Sequence, residues 1–186
     1  MAIIYAVLLA AVNVGKRKVP MAQLRSVLTE LGYTDVRTYL ASGNAVLTAD
    51  DAEDAVAAKI SAALEDRFGF EIPCLVRDRH YLNAVAEACP FPAHQVEGRH
   101  LHAIFYSTPV DQDRYADIDQ QAFLPEEFRL GDRVMYLHLP GGIGRSALTT
   151  ALTKPAGRLT GITATGRNWN TVKALVELTA PPTDSA

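Results

Sequence analysis

The stretch that most limits the fold is "IIYAVLLAAV", residues 3–12. Ten unbroken apolar residues fall far short of the ~20 needed to cross a bilayer and are few for an independent helix. They suit a central strand covered on both faces, which leaves no side for water. No basic segment precedes the run, and it passes straight into "NVGKRKVP", so it reads as a strand and not as a secretion signal.

A strand of that kind needs partners, and the next residues supply them. From Pro20, the residues Met21, Leu24, Leu28 and Leu31 fall on one helical face, with Pro20 in the first turn and Gly32 as the stop. "DVRTYL" then alternates, with Val36, Thr38 and Leu40 on one side; "ASGN" turns, and "AVLTA" returns as a hairpin. Asp50 followed by Glu53 has the spacing of a capping box, and Val56, Ile60, Ala63 and Arg67 carry a second helix to Gly69. "EIPCLVR" closes as a strand. The order is βαββαβ within residues 1–77, the split-βαβ or ferredoxin-like arrangement.

A short helix at 79–88 and the loop "CPFPAHQVEGR" mark a boundary, and the order begins again. "HLHAIFYS" is a strand, "DQDRYADIDQQ" a helix, and "EEFRLGDRVMYLHL" a hairpin turning at Gly131-Asp132. "GRSALTTAL" is a helix after a glycine-rich loop, and "RNWNTVKALVEL" is the final helix. The expected fold class is α+β: two ferredoxin-like modules, βαββαβ followed by a βαββα repeat with a C-terminal helix. Module one spans 1–77, module two 78–180, and 181–186 is a loose tail. Strands and helices do not alternate regularly, so antiparallel sheets are expected.

Formal net charge is −3 and the pI about 5.9, whereas a protein that binds nucleic acid over a broad face is usually basic. RNA-recognition domains share the βαββαβ order and stack bases on aromatics of strands one and three. Here strand one offers only Tyr5 and "NAVLTA" none, so an RNA-binding module is the disfavoured alternative. A structural or interaction domain without a ligand is a further one. Cys74 and Cys89 form neither a disulfide framework nor a metal spacing, which fits a reducing cytoplasm. His100 and His102 share a strand face and His138 lies on another strand, but no acidic or cysteine ligand accompanies them; no metal is assigned. No Gly-x-Ser-x-Gly elbow and no His-Glu-x-x-His is present. The sequence names no catalytic residue, no cofactor and no oligomeric state.

Four polar stretches remain as candidates. In a sheet of spatial order 4-1-3-2, the loop "NVGK" after strand one and the turn "SGN" lie at the same end. Asn13, Gly15, Lys16, Ser42, Gly43 and Asn44 would there offer N–H groups, amides and one charge to an anion. Turn chemistry explains the same residues without a ligand. "GGIGRS" before a helix presents Gly144, Arg145 and Ser146 either to an anion or as a flexible connection; it is no P-loop. In "GRNWNT", Asn168 can cap the last helix, and Trp169, Val172 and Val176 share a face. That makes Trp169 a core anchor before a ligand stacker, and leaves Arg167 unexplained by capping.

With these placed, the chain resembles a bacterial family known as the domain of unknown function 1697. The resemblance rests on "AAVNVGKRKVPMAQLRSVLTELGYTDVRTYLASGNAVL", "YLHLPGGIGRSALTTAL" and "TGRNWNTVKALVEL", in that order. The family positions carried here are Asn13, Val14 and Gly15; Ser42, Gly43 and Asn44; Gly142, Gly144, Arg145 and Ser146; Arg167, Asn168, Trp169 and Thr171. The resemblance implies a two-part α+β fold and assigns no activity. One departure stands out: the family's Leu-Arg-Gly-Ile-Asn-Val is Leu9-Ala10-Ala11-Val12-Asn13-Val14 here, so both the arginine and the glycine are alanine. The expected function is binding of a small anionic molecule bearing phosphate or carboxylate. Its site would be composite, with Arg145 and Arg167 for charge, Asn13 and Asn44 for geometry, and Ser146 or Thr171 for a hydroxyl.

Overall fold

The computed structural model describes residues 1–181. Strands β1 (Ile3–Leu9), β2 (Thr34–Tyr39), β3 (Asn44–Ala49) and β4 (Cys74–Asp78) form one antiparallel sheet in the order β2-β3-β1-β4. Helices α1 (Met21–Glu30) and α2 (Glu53–Phe68) cover one face of it. Strands β5 (Leu101–Tyr106), β6 (Glu127–Gly131), β7 (Val134–His138) and β8 (Ala164–Asn168) form a second antiparallel sheet in the equivalent order, β6-β7-β5-β8. The remaining helices are α3 (Arg79–Glu87), α4 (Ala147–Leu152) and α5 (Trp169–Leu178). None of the described helices is long and apolar enough to cross a membrane.

Two compact units divide the chain: Met1–Asn83 with the segment from Ala174 onward, and Ala84–Lys173. The sequence reading divided it at 77/78 and kept the final helix whole, whereas the units part inside α3 and again inside α5. Of the loose tail expected at 181–186, only Pro181 lies within the described residues.

In the first unit β1 is buried as its composition requires. Tyr5, Val7 and Leu9 point toward α1 and α2, where they meet Leu24, Leu28, Val56, Ile60 and Leu64. Each large apolar side chain buried this way stabilises by about 1.5–3 kcal/mol. Ile4, Ala6 and Leu8 point to the other face beside Thr48, Val46 and Asn44, their partners on β3. The second half of α5 lies against this face, where Ala174, Glu177 and Leu178 border Ile4 and Val46. Two local expectations fail. Leu40 is 55% exposed, because pairing ends at Tyr39–Asn44 and Leu40 becomes the first turn residue, with φ 58°. The capping box does not form: Ala52 precedes α2 without a side-chain cap, Asp50 pairs with the terminal amine of Met1, and Glu53 accepts from the Asp78 N–H.

The second unit departs further. "DQDRYADIDQQ" forms two single 3-10 turns, Gln112–Tyr115 and Gln120–Phe123, in place of an α-helix. Asp111 and Asp119 each accept an N–H two residues on, and these local bonds compete with helix propagation. Ala164–Asn168 is a strand, β8, where the sequence suggests only the start of the last helix. It pairs with β5 and closes the repeat as a full four-stranded sheet. The hairpin turns at Asp132-Arg133, since Gly131 still pairs with Val134.

Two positions in the first unit carry opposite backbone demands. Gly43 has φ 83°, and a Cβ there would stand 2.7 Å from Val12 Cγ2 and 2.8 Å from Leu9 Cβ. Ala11 holds φ 53°, a left-handed conformation disfavoured by its Cβ, at the position where the resembled family has glycine. Gly43→Ala is expected to destabilise by about 3 kcal/mol, from left-handed strain plus overpacking. Ala11→Gly is expected to stabilise by about 0.5 kcal/mol, the relief of strain exceeding the gain in unfolded-chain entropy. Urea unfolding of both variants checks this; equal midpoints would contradict it.

Candidate functional site

The "NVGK" loop and the "SGN" turn meet at one end of the first sheet. Asn13, at φ 56°, accepts from the Val19 N–H at 2.9 Å and donates to the carbonyls of Ala41 at 2.5 Å and Val19 at 3.2 Å. Asn44 is fully buried and donates to the Tyr39 carbonyl at 2.8 Å and Ser42 Oγ at 2.9 Å. Gly15, at φ 55°, is the first central residue of the two-residue turn that brings the Arg17 N–H to the Val14 carbonyl at 3.1 Å. Gly43 gives its carbonyl to the Leu9 N–H at 2.8 Å. Both amides are therefore occupied in tying one chain segment to another. Gly15, Lys16 and Ser42 of this group are exposed. Arg17 is a further tie: Nε donates to the Ala11 carbonyl, Nη2 reaches the Glu71 carbonyl, and its Cζ lies 4.8 Å over the Phe70 ring.

In the second unit, Gly142 has φ 81° and leads into a 3-10 turn, Ile143–Arg145. Ser146 is buried and caps α4, its Oγ accepting from the Thr149 N–H at 2.9 Å. Glu126 Oε2 accepts from the Leu148 N–H at 2.9 Å, so the protein's own carboxylate occupies the place where an anion was expected. Glu126 is thus a cap, and Glu127 is the partner of Arg129 at 3.0 Å. Gly144 and Arg145 stand in solvent.

Trp169 is 3% exposed, with its ring 6.3 Å from that of Tyr136, and Asn168 Oδ1 accepts from the Thr171 N–H at 3.0 Å. The tryptophan is a core anchor and the asparagine before it is the cap. Thr171 is buried beside them. Arg167 is buried too, donating to Thr165 Oγ1 and the Gly166 carbonyl, both at 2.7 Å. Burial pushes its pKa down to about 10, so it stays charged at neutral pH. Arg167 pairs with Ala103 and Asn168 with His102, so these side chains leave β8 on opposite faces. His102 faces the side on which Leu148 and Leu152 of α4 pack against Leu137. Arg145 is exposed in the turn that leads into α4, whereas Arg167 is buried and leaves β8 on the face away from α4.

The histidines are separated likewise. His138 pairs with Leu101, on the face away from His102, and its ring lies 5.5 Å from that of Phe91. No group of three His, Cys, Asp or Glu side chains among the described residues is arranged to hold a metal ion. His102 is buried and its Nδ1 has no partner among the described residues. Burial first, and then His100, hold its pKa below the usual imidazole value. Burial also pushes the Cys74 thiol up to about 11, which leaves it unreactive at neutral pH.

A concave site absent from the sequence reading lies in the first unit. Between the free sheet face and the second half of α5 runs a groove of about 860 Å³. Ile4, Val46 and Leu178 are apolar in it; Asp35, Arg37, Tyr39 and Glu177 are polar or charged. Arg37 is exposed and its Nη2 donates to the Leu178 carbonyl near the end of α5 at 2.9 Å. Asp35 Oδ2 accepts from Thr48 Oγ1 at 3.1 Å. The signal was present in "DVRTY": if Val36 and Thr38 face the helix, alternation sends Arg37 and Tyr39 to the opposite face.

Sheet order, strand register and helix placement define an α+β protein of two ferredoxin-like halves. The family described as Protein of unknown function (DUF1697) matches residues 3–136, and the chain belongs to it. The match ends before the glycine-rich loop and the "GRNWNT" segment. No curated protein matches the chain. A solved structure of a conserved bacterial protein from Streptococcus pneumoniae matches with a TM-score of 0.75 at 23% identity, covering 97% of this chain and 100% of that one. That likeness shows the fold.

The depressed pKa of His102 sets a pH dependence. Below about pH 6.5 the unfolded chain takes up a proton that folded His102 refuses, so stability falls as pH drops toward the lower folded value. The slope for one proton is at most about 1.4 kcal/mol per pH unit. Urea unfolding between pH 7 and pH 5 is expected to show a smaller loss for His102→Gln than for the unchanged protein. Parallel losses would show that His102 takes no part.

Proposed function

We propose that the protein binds a small molecule bearing a carboxylate or phosphate in the groove between the first sheet and the second half of α5. The observation that carries this is Arg37. Its guanidinium is held by one bond to the Leu178 carbonyl at 2.9 Å among the described residues, and Arg37 is an exposed member of the groove lining. A planar cation fixed at one corner is preorganised for a bidentate oxyanion. About 860 Å³ is ample for a metabolite, and Ile4, Val46 and Leu178 give it an apolar bed. Asp35 and Glu177 add acceptors for a ligand that also carries hydroxyl or amino groups.

The residues singled out from the sequence support the frame in this reading. Asn13, Gly15, Gly43 and Asn44 shape the sheet end; Ser146, Asn168 and Trp169 fix α4 and α5; Lys16, Ser42, Gly144 and Arg145 keep donors in solvent. The RNA alternative loses its one aromatic on β1. Tyr5 is buried among the helices and donates to the Asp51 carbonyl at 3.1 Å, so no base can stack on it. The setting we propose is the cytoplasm, where Cys74 and Cys89 remain thiols.

Titration with sodium phosphate and with glutarate, followed through backbone amide NMR shifts, tests the reading. Saturable shifts at residues 36–39 and 46–48, with dissociation constants on the order of 1 mM or tighter, are expected, and Arg37→Ala should abolish them. Shifts confined to the 13–16 or 141–146 loops would refute it.

A further inference from the structure

We infer that the edge strand β2 receives the C-terminal end of an extended peptide, paired antiparallel or parallel to Arg37–Tyr39, with the peptide's carboxylate on Arg37. This rests on the groove reading above and names the class of ligand. β2 is the outermost strand of the first sheet, so one row of its N–H and C=O groups faces away from β3. Among the described residues no backbone partner covers that row. The strand is flanked on both faces: the groove with Arg37, Tyr39 and Glu177 lies on one, and a shallower furrow between Ala22, Arg25, Ser26, Thr29 and Val36 lies on the other, beside α1. Val36 borders both depressions.

Two flanking depressions are what an added strand needs, because its successive side chains alternate between the faces of the sheet. An isolated small anion would use the Arg37 side alone and leave the α1 furrow unexplained. The length of the partner also follows. The register of β2 slips between Thr34 and Arg37, leaving Arg37, Thr38 and Tyr39 in regular pairing with Val46, Ala45 and Asn44. Three regular residues offer too short a ladder for a long chain segment to displace its water, but suffice for a chain end whose carboxylate adds a charge-assisted contact. On the α1 side, Arg25 Nη1 donates to Thr38 Oγ1 at 2.7 Å, which fixes one wall of the furrow; Glu30 also lines it. The slipped register also blunts the edge against indiscriminate strand addition, so a short, carboxylate-anchored partner is favoured over open-ended self-pairing.

The test uses the full chain and a position-scanning tetrapeptide library, acetylated at the N-terminus and made both as free acids and as C-terminal amides. Sodium acetate and sodium phosphate form the small-anion arms. Amide shifts and hydrogen exchange of residues 36–40 are read by NMR, with analytical ultracentrifugation alongside. Free-acid pools are expected to shift these amides and slow exchange about tenfold, with amidated pools at least about fivefold weaker. Arg37→Ala should make acid and amide forms equal while leaving the residual pairing to β2. If acetate or phosphate binds at Arg37 but no pool touches the β2 amides, the peptide inference is overturned and the groove reading stands. If neither the anions nor the peptides bind, both fall. Protection of β2 that grows with protein concentration, together with a doubled mass, would assign the edge to a second copy and overturn the peptide partner.

Discussion

The antiparallel pairing of β1 with β3 is the constraint on which the first half of the molecule depends. Six consecutive residue pairs, from Ile3–Ala49 to Leu8–Asn44, place the two most apolar strands side by side at the centre of the sheet. Once they are neighbours, β2 can reach the sheet only as the outer partner of β3, and β4 only on the far side of β1. The loop leaving β1 and the turn entering β3 must then share one end. The bond from Asn13 to the Ala41 carbonyl records that convergence. The same pairing leaves β2 outermost in the sheet, with no backbone partner on its outer side among the described residues.

This placement separates the residues that hold the frame from those that can meet a ligand. Polar residues in glycine-bearing stretches attract functional readings because their donors look available in the sequence. In the folded chain Asn13, Asn44, Ser146 and Asn168 each satisfy backbone groups that would otherwise be unpaired, which is itself a strong reason for their presence. The anion-seeking helix start at α4 already carries the carboxylate of Glu126. Arg37 is different: among the described residues a single carbonyl anchors it, and it is exposed beside a concavity of useful size.

The elements most legible in the sequence were those whose core is made within a few turns of chain. The faces of α1 and α2, the hairpin at "ASGN" and the strand order of the first sheet follow from apolar spacing and turn residues. Trp169 was legible for the same reason, since the cap at Asn168 and the apolar spacing after it point one way. β8 was not legible, because "ATGRN" has no alternating apolar side chains. A glycine sits opposite Ile104, where a Cβ would come 2.8 Å from Ile104 Cδ1, and that close fit lies in tertiary packing. The segment 111–121 departs from the expected helix because the side chains of Asp111 and Asp119 close local turns. The groove escaped notice because its walls come from sequence positions 35–48 and 174–181, and no local motif joins them.

The most direct test of the central claim is where an oxyanion settles. A crystal grown in sodium selenate and measured at the selenium edge locates bound anions without prior choice of site. The strongest anomalous peak is expected in the groove, within roughly 4 Å of the Arg37 guanidinium, as a bidentate contact requires. A strongest peak beside Lys16 or Arg145, with the Arg37 groove empty, would contradict it and return the function to the glycine-bearing loops.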